Sequence, residues 1–289
     1  MGMNSKTKRL MRPKLLDNDT QFERDIFQDR IQRQNLIKHH YGLNAAPLTL
    51  PDEELLIRGF ATVLNLCDHN MVINHPLLGL KLTINKTVGA KYGYLMSCGD
   101  YQAQMLSMIQ SYIEKGDKVL EIGSGLGVTT SLIGLISQEE VTAVEPQMNL
   151  HNVIKENCNL NKTNVHILHT SITPEKNNHE TDFHIMQDYL SSSLFQQSGQ
   201  VDVSIKVPQT SLKGLIENLS SINTLVFDIM GAEIGLIYEP EIEHFKKIIC
   251  CLNTPIIGEE KTAHIVNHLI HKGYELKNIR GLVFVFCKK

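Results

Sequence analysis

The sequence predicts an α/β fold with a mostly parallel sheet, closed by an antiparallel C-terminal strand and preceded by a mainly helical extension. Three stretches predict it. Val119-Leu120-Glu121-Ile122 reads as a short buried strand, followed by Gly123, Gly125 and Gly127 and then an apolar run from Val128 to Ile136 that suits a packed helix. Val141 to Val144 is a second β-branched run and ends in Glu145-Pro146. Thr224 to Phe227 is a third; it ends in Asp228, with Gly231 and Glu233 just beyond. Strand, glycine turn and helix together open a nucleotide-binding βαβ unit.

The spacing of the first turn narrows the nucleotide. A dinucleotide fingerprint places glycines at its first, third and sixth positions, so that a pyrophosphate rests on the helix N-terminus. Here the sixth position is Val128, and the acid Glu121 stands just before the first glycine. A carboxylate there repels a pyrophosphate and suits the cationic amino-acid end of S-adenosylmethionine. Glycine suits the turn because a ligand can approach the backbone without a Cβ in the way. Glu145, about 20 residues on, is placed to hold a ribose by its hydroxyls. The rival reading, an NAD-dependent dehydrogenase, lacks the sixth-position glycine and has to tolerate Glu121.

Composition bounds the remaining classes. The chain has 289 residues, 42% of them hydrophobic and 20% charged, as in a globular protein with one large domain and an extension. A formal net charge of −3 gives no basic footprint, so no nucleic-acid partner and no membrane partner are expected. No apolar stretch approaches the roughly 18 residues of a membrane span, and the polar, basic start does not resemble a signal peptide. The six cysteines lack CxxC pairs, which suits reduced thiols in a cytoplasmic protein. No metal site is expected among the thirteen histidines.

Taken in order, residues 1–90 form the extension. Apolar residues at helical spacing predict helices over 21–40 and from Pro51 through Cys67, and the alternation from Leu78 to Asn85 predicts a strand or hairpin. This extension is a lid, an acceptor-binding wall or a dimer contact. Residues 91–289 form the cofactor-binding domain. Asp100 is expected to cap a helix carrying Met105, Met108, Ile109 and Tyr112. Val165 to Leu168 is a third parallel strand, and Ser171 beyond it is placed beside an adenine. Asp182 to Met186 and Val201 to Val207 read as strands around a polar loop, and Thr210 or Ser211 caps the next helix. Asp228 lies at the carboxyl edge of a central strand, where ligands bind in open α/β sheets. Pro255 to Gly258 reads as a further strand, followed by a helix capped by Thr262. Tyr274–Ile279 and Leu282–Cys287 form a terminal hairpin across Arg280-Gly281.

These motifs resemble those of class I methyltransferases dependent on S-adenosylmethionine, and more narrowly the FkbM family. The carriers are Val119 to Gly127, Ala143 to Pro146, Glu156-Asn157 to Asn161, Ser192-Ser193-Leu194, Ser211-Leu212 and Phe227-Asp228-Ile229-Met230-Gly231-Ala232-Glu233. The resemblance covers about residues 92–289. It departs at Ser124-Gly125 and at Met230, where the family usually has a glutamate.

The resemblance implies a Rossmann-like seven-stranded sheet. It also implies methyl transfer to a hydroxyl, or to an amide or amine nitrogen, of a natural product, sugar or peptide, with S-adenosylhomocysteine as product. A possible homodimer and a small-molecule, glycan or peptide acceptor are the expected partners. Glu121, Gly123, Ser124 and Gly125 are placed at the methionine end, Glu145 and Pro146 at the ribose, and Ser171 at the adenine. Asp228 is placed at both cofactor and acceptor as the first candidate base, with Glu233 beside it. His184 is the second candidate, because a histidine titrates near neutral pH. A non-catalytic protein that keeps this fold for binding or scaffolding is the alternative.

Overall fold

The computed structural model describes residues 69–174, 179–186, 192, 194, 201–219 and 221–289. The helices expected over 21–40 and 51–67, and most of the polar loop from Gln187 to Ser193, lie outside the described residues. The chain divides into two units, Met1–Leu55 and Leu56–Lys289, and the described residues all belong to the second.

A hairpin of β1 (Met71–Asn74) and β2 (Lys81–Ile84) comes first, where the alternating run predicts one. Two helices follow, α1 (Gly89–Cys98) and α2 (Ala103–Tyr112). The main sheet then begins with β3 (Val119–Ile122), α3 (Val128–Ser137), β4 (Val141–Val144), α4 (His151–Leu160) and β5 (Val165–Leu168). A second, three-stranded sheet is made of β6 (Ser171–Ile172), β7 (Glu180–Met186) and β8 (Val201–Thr210), ordered β6-β8-β7. The chain returns through α5 (Leu212–Asn218), β9 (Thr224–Phe227), α6 (Glu233–Ile237), β10 (Lys247–Cys251), α7 (Thr254–Ile257) and α8 (Glu259–His271). It ends in the hairpin β11 (Tyr274–Arg280) and β12 (Val283–Lys288).

The main sheet has seven strands in the order β11-β12-β10-β9-β3-β4-β5. Strands β10, β9, β3, β4 and β5 run parallel, and β12 is antiparallel to both its neighbours. This is the Rossmann-like methyltransferase arrangement. The order reverses between β3 and β9, which opens a crevice at their carboxyl ends. Strands β3, β4 and β9 are buried on both faces, so they read as continuous apolar runs. Alternate residues serve opposite layers. Val119, Val226, Ile249 and Val285 pack with α1 to α4, whereas Leu120, Leu225, Ile248 and Phe286 pack with α5, α6 and α8. Leu80, Leu82 and Ile84 belong to the first of these cores, so the β1–β2 hairpin is built into the domain.

Three local expectations are corrected. The fifth parallel strand is Lys247–Cys251, and Pro255 opens a one-turn helix; proline lacks an N–H and has a φ suited to a first helical turn. Thr262 lies inside α8, whose N-cap is Gly258. Asp100 does not cap α2: Gln102 does, in the left-handed region at φ 46°. Ser211 caps α5, its hydroxyl accepting the Gly214 N–H at 3.2 Å.

Candidate functional site

The strand register lines up one residue from each parallel strand at the carboxyl edge. Ile122 is paired with Val144 on one side and Phe227 on the other; Val144 is paired with Leu168, and Phe227 with Cys250. One residue further on, His169, Glu145, Gly123, Asp228 and Cys251 therefore stand in a row. Glu145 and Asp228 flank the first glycine of the turn.

The turn takes its shape from its glycines. Gly123, Gly125 and Gly127 have φ of 84°, 53° and 72°, a region that L side chains rarely adopt. Two of them also meet other backbone. A Cβ on Gly123 would run into the Asp228 carbonyl oxygen, and one on Gly127 would lie 2.8 Å from Ile154 Cα in α4. The close approach that excludes a side chain is thus made by the protein itself, and it locks β3 against β9 and α4.

Glu121 points from β3 toward the start of α3. Its carboxyl accepts the Thr130 hydroxyl and is also bonded by Thr129. It is only 2% exposed, and burial pushes it up to about 7, against the two threonine bonds that favour its charge. Glu145 spans the gap from β4 to the turn. Its Oε2 accepts the Gly125 N–H at 2.9 Å and its Oε1 accepts the Gln147 N–H at 2.8 Å. Burial pushes it, too, up to about 7. Each oxygen of this carboxyl keeps a further lone pair for a ligand hydroxyl.

On the other side of Gly123, Asp228 is held by three neighbours. Asn253 Nδ2 donates to its Oδ1 at 3.3 Å, and the side chains of Gln102 and Cys251 bond it as well. The same Asn253 nitrogen donates to Glu233 Oε1 at 2.5 Å. Burial raises the pKa of both acids above the ordinary carboxylate range. Glu233 is fully buried, and among the described residues its Oε2 has no hydrogen-bond partner. Asn253 and Gln102 are site residues that sequence reasoning missed. Gln102 stands at positive φ just before a helix, a strained position that its sequence context does not reveal.

The remaining expected residues are placed as follows. Ser124 follows Gly123, and its buried hydroxyl lacks a partner among the described residues. Pro146 follows Glu145, and its carbonyl accepts from His169. Ser171 lies on β6, its hydroxyl donating to the Pro208 carbonyl at 3.2 Å. His184 lies on β7, paired with Ser204 Oγ at 2.8 Å across the hairpin. The structure thus brings Glu121, Gly123, Ser124, Gly125, Glu145, Asp228 and Glu233 to one sheet edge and does not bring His184 to them.

This edge fits S-adenosylmethionine. A buried acid precedes the glycine turn, a second acid with spare lone pairs follows β4, and an orphaned hydroxyl sits in the turn itself. Fold and edge together define the class of methyltransferases dependent on S-adenosylmethionine, and that is the cofactor.

Comparison with known proteins bears on the same half of the molecule. Residues 104–193 match the family model of ribosomal RNA adenine dimethylase. The matched part ends before Asp228. No curated protein sequence matches the chain. Similar solved structures include a ribosomal protein L11 methylase from Lactobacillus delbrueckii subsp. bulgaricus (15% identity, 66% of this chain and 80% of that one, TM-score 0.37). A TehB-like methyltransferase from Corynebacterium glutamicum is similar at 14% identity over 68% of this chain and 92% of that one, TM-score 0.38. An rRNA methylase from Streptococcus thermophilus is similar at 9% identity over 64% and 95%, TM-score 0.38.

The family match overturns one expectation, the exclusion of nucleic acid. That expectation rested on a net charge of −3, which sums over the whole chain and does not describe any one face of it. Among the described residues no helix is long and apolar enough to cross a membrane.

Proposed function

We propose that the chain transfers a methyl group from S-adenosylmethionine to a hydroxyl, or to an amide or amine nitrogen, of a natural product, sugar or peptide. The observation that carries this reading is the contact between Asp228 and Gly123: the backbone of the acid closes directly on the glycine turn. The cofactor, when bound, supplies a methyl already activated on a sulfonium. The protein has to align the acceptor with it and remove a proton.

Asp228 is the base in this reading. Burial raises its pKa, which makes its charged form a stronger base than an exposed aspartate, and Asn253 and Gln102 hold it in place. His184 is passed over for that role because it pairs with Ser204 on the second sheet. Glu233, bridged to Asp228 by Asn253, positions the acceptor. Glu121, Gly123, Ser124 and Gly125 take the methionine end, Glu145 and Pro146 the ribose, and Ser171 the adenine side. The FkbM resemblance supports the acceptor class through the stretch Asp228 to Glu233. The five described cysteines are all unpaired, which supports a reducing, cytoplasmic setting.

A second reading, an RNA acceptor, is favoured by the match to ribosomal RNA adenine dimethylase. One experiment tests both. The protein is incubated with methyl-labelled S-adenosylmethionine and either RNA or a cell extract cleared of macromolecules. Label in small molecules supports the first reading, and label in RNA replaces it with the second. Label in neither, from a folded protein that binds the cofactor, favours the non-catalytic alternative.

A further inference from the structure

Two histidines close together on the residues just past the end of β4. His151, the first residue of α4, has its Nε2 2.8 Å from the Glu145 carbonyl oxygen. His169, the first residue after β5, has its Nε2 3.0 Å from the Pro146 carbonyl oxygen. A carbonyl oxygen can only accept, so each ring carries a proton on Nε2. The two rings meet edge to face, with centroids 5.5 Å apart and planes at 78°. Register already places His169 beside Glu145 at the sheet edge.

The consequence lies in the Glu145 side chain. Its two oxygens are aimed by the Gly125 and Gln147 N–H groups, and Gln147 follows Pro146 directly. The Glu145-Pro146-Gln147 segment is outside any strand or helix. The Glu145 N–H donates to the Leu168 carbonyl at 3.1 Å and the Gln147 carbonyl accepts the Leu150 N–H at 3.0 Å, whereas the Glu145 and Pro146 carbonyls are held by the two imidazoles.

We propose that His151 and His169 form a clasp that fixes the Glu145-Pro146 backbone, and so positions the Glu145 carboxylate for the ribose diol of the cofactor. They are positioning residues: they act through Glu145. The inference rests on the reading of Glu145 as the ribose residue. Outer residues that orient a ligand-binding side chain tune selectivity for the group it binds, whereas residues that only support the fold change affinity for every ligand alike.

The test measures diol discrimination. Adenosine and 2′,3′-dideoxyadenosine compete separately against S-adenosylhomocysteine, and the ratio of their inhibition constants is compared among variants. Glu145→Gln is the control for the ribose reading. His151→Phe and His169→Phe keep a ring for the edge contact and remove the donor; His151→Gln restores an N–H near the Nε2 position. The expected result is a preference for adenosine that falls about three- to tenfold in each Phe variant, the size of one lost orienting hydrogen bond, and recovers in His151→Gln. Should His151→Phe not fold, His169→Phe and His151→Gln carry the comparison.

An unchanged ratio in the Phe variants, with the ratio lost in Glu145→Gln, overturns the clasp and leaves the ribose reading standing. Equal weakening of both nucleosides in the Phe variants also overturns it, as a purely structural role. An unchanged ratio in Glu145→Gln removes the ribose reading, and the clasp with it.

Discussion

The Glu145 carboxylate accepts the backbone N–H of Gly125 at 2.9 Å, tying the end of β4 to the middle of the glycine turn that follows β3. One side chain thereby shapes the turn and faces the ligand crevice. Glu145→Ala removes the acceptor for both Gly125 and Gln147 and leaves two N–H groups to find others. We expect a stability loss of about 1–3 kcal/mol by urea unfolding, together with at least tenfold weaker cofactor binding by calorimetry.

Glu121 and Glu145 also make stability depend on pH. Both have folded values of about 7, raised by burial above the ordinary 4.5. Between those values the folded protein binds more protons than the unfolded chain, so stability falls as pH rises through the window and levels off above it. The expected slope is on the order of 1 kcal/mol per pH unit for each group. Thermal unfolding of the cofactor-free protein from about pH 5 to about pH 8 reads it. Glu121→Gln should flatten the fall; an equal slope in wild type and variant would show that Glu121 does not titrate there.

Gly123 tests the join between β3 and β9. Its φ is 84°, and a Cβ would meet the Asp228 carbonyl oxygen. Gly123→Ala should cost about 1–3 kcal/mol of stability from backbone strain alone, more with the clash. Chemical denaturation measures this, and a neutral effect would mean that the turn relaxes freely.

Asn253→Ala withdraws the one nitrogen that donates to both Asp228 and Glu233. Two acids whose pKa values burial has already raised lose a bond that favours their charge. The stability loss, about 1–3 kcal/mol, should grow as pH rises through the range in which the two acids ionise, because their charged forms gain more from the donor than their neutral forms do. Unfolding curves over a pH series check this.

Asp228→Ala separates catalysis from binding. Once an acceptor is in hand, turnover should fall by roughly 10²–10⁴-fold, the usual contribution of a general base. Cofactor affinity should stay within about threefold. Loss of affinity in step with turnover would make Asp228 a cofactor residue instead.

Much of this was legible in the sequence where local pattern and tertiary role coincide. Val119 to Ile136 shows a buried strand, a glycine turn and a helix because each step has its own residue preference, and the acids after β4 and β9 sit at strand ends that the apolar runs define. The terminal hairpin shows itself through Arg280-Gly281. Strand β10 was missed because Ile248 to Cys251 is a short apolar run without periodicity, while Pro255-Ile256-Ile257 mimics one. Asn253 and Gln102 were missed for a different reason. Their importance comes from what lies opposite them in space, and an asparagine after a strand or a glutamine before a helix looks in the sequence like any other loop residue. The glycines were located correctly but explained only in part, since the backbone that crowds Gly123 and Gly127 belongs to distant parts of the chain.

The central claim is that the sheet edge between Glu121, Glu145 and Asp228 takes S-adenosylmethionine. The most direct measurement is calorimetric titration of the purified chain with S-adenosylmethionine and, in parallel, with NAD. The account predicts micromolar binding of the first, weakened at least tenfold in Glu145→Ala, and no heat from the second. NAD binding, or no response to S-adenosylmethionine from a folded protein, would contradict it.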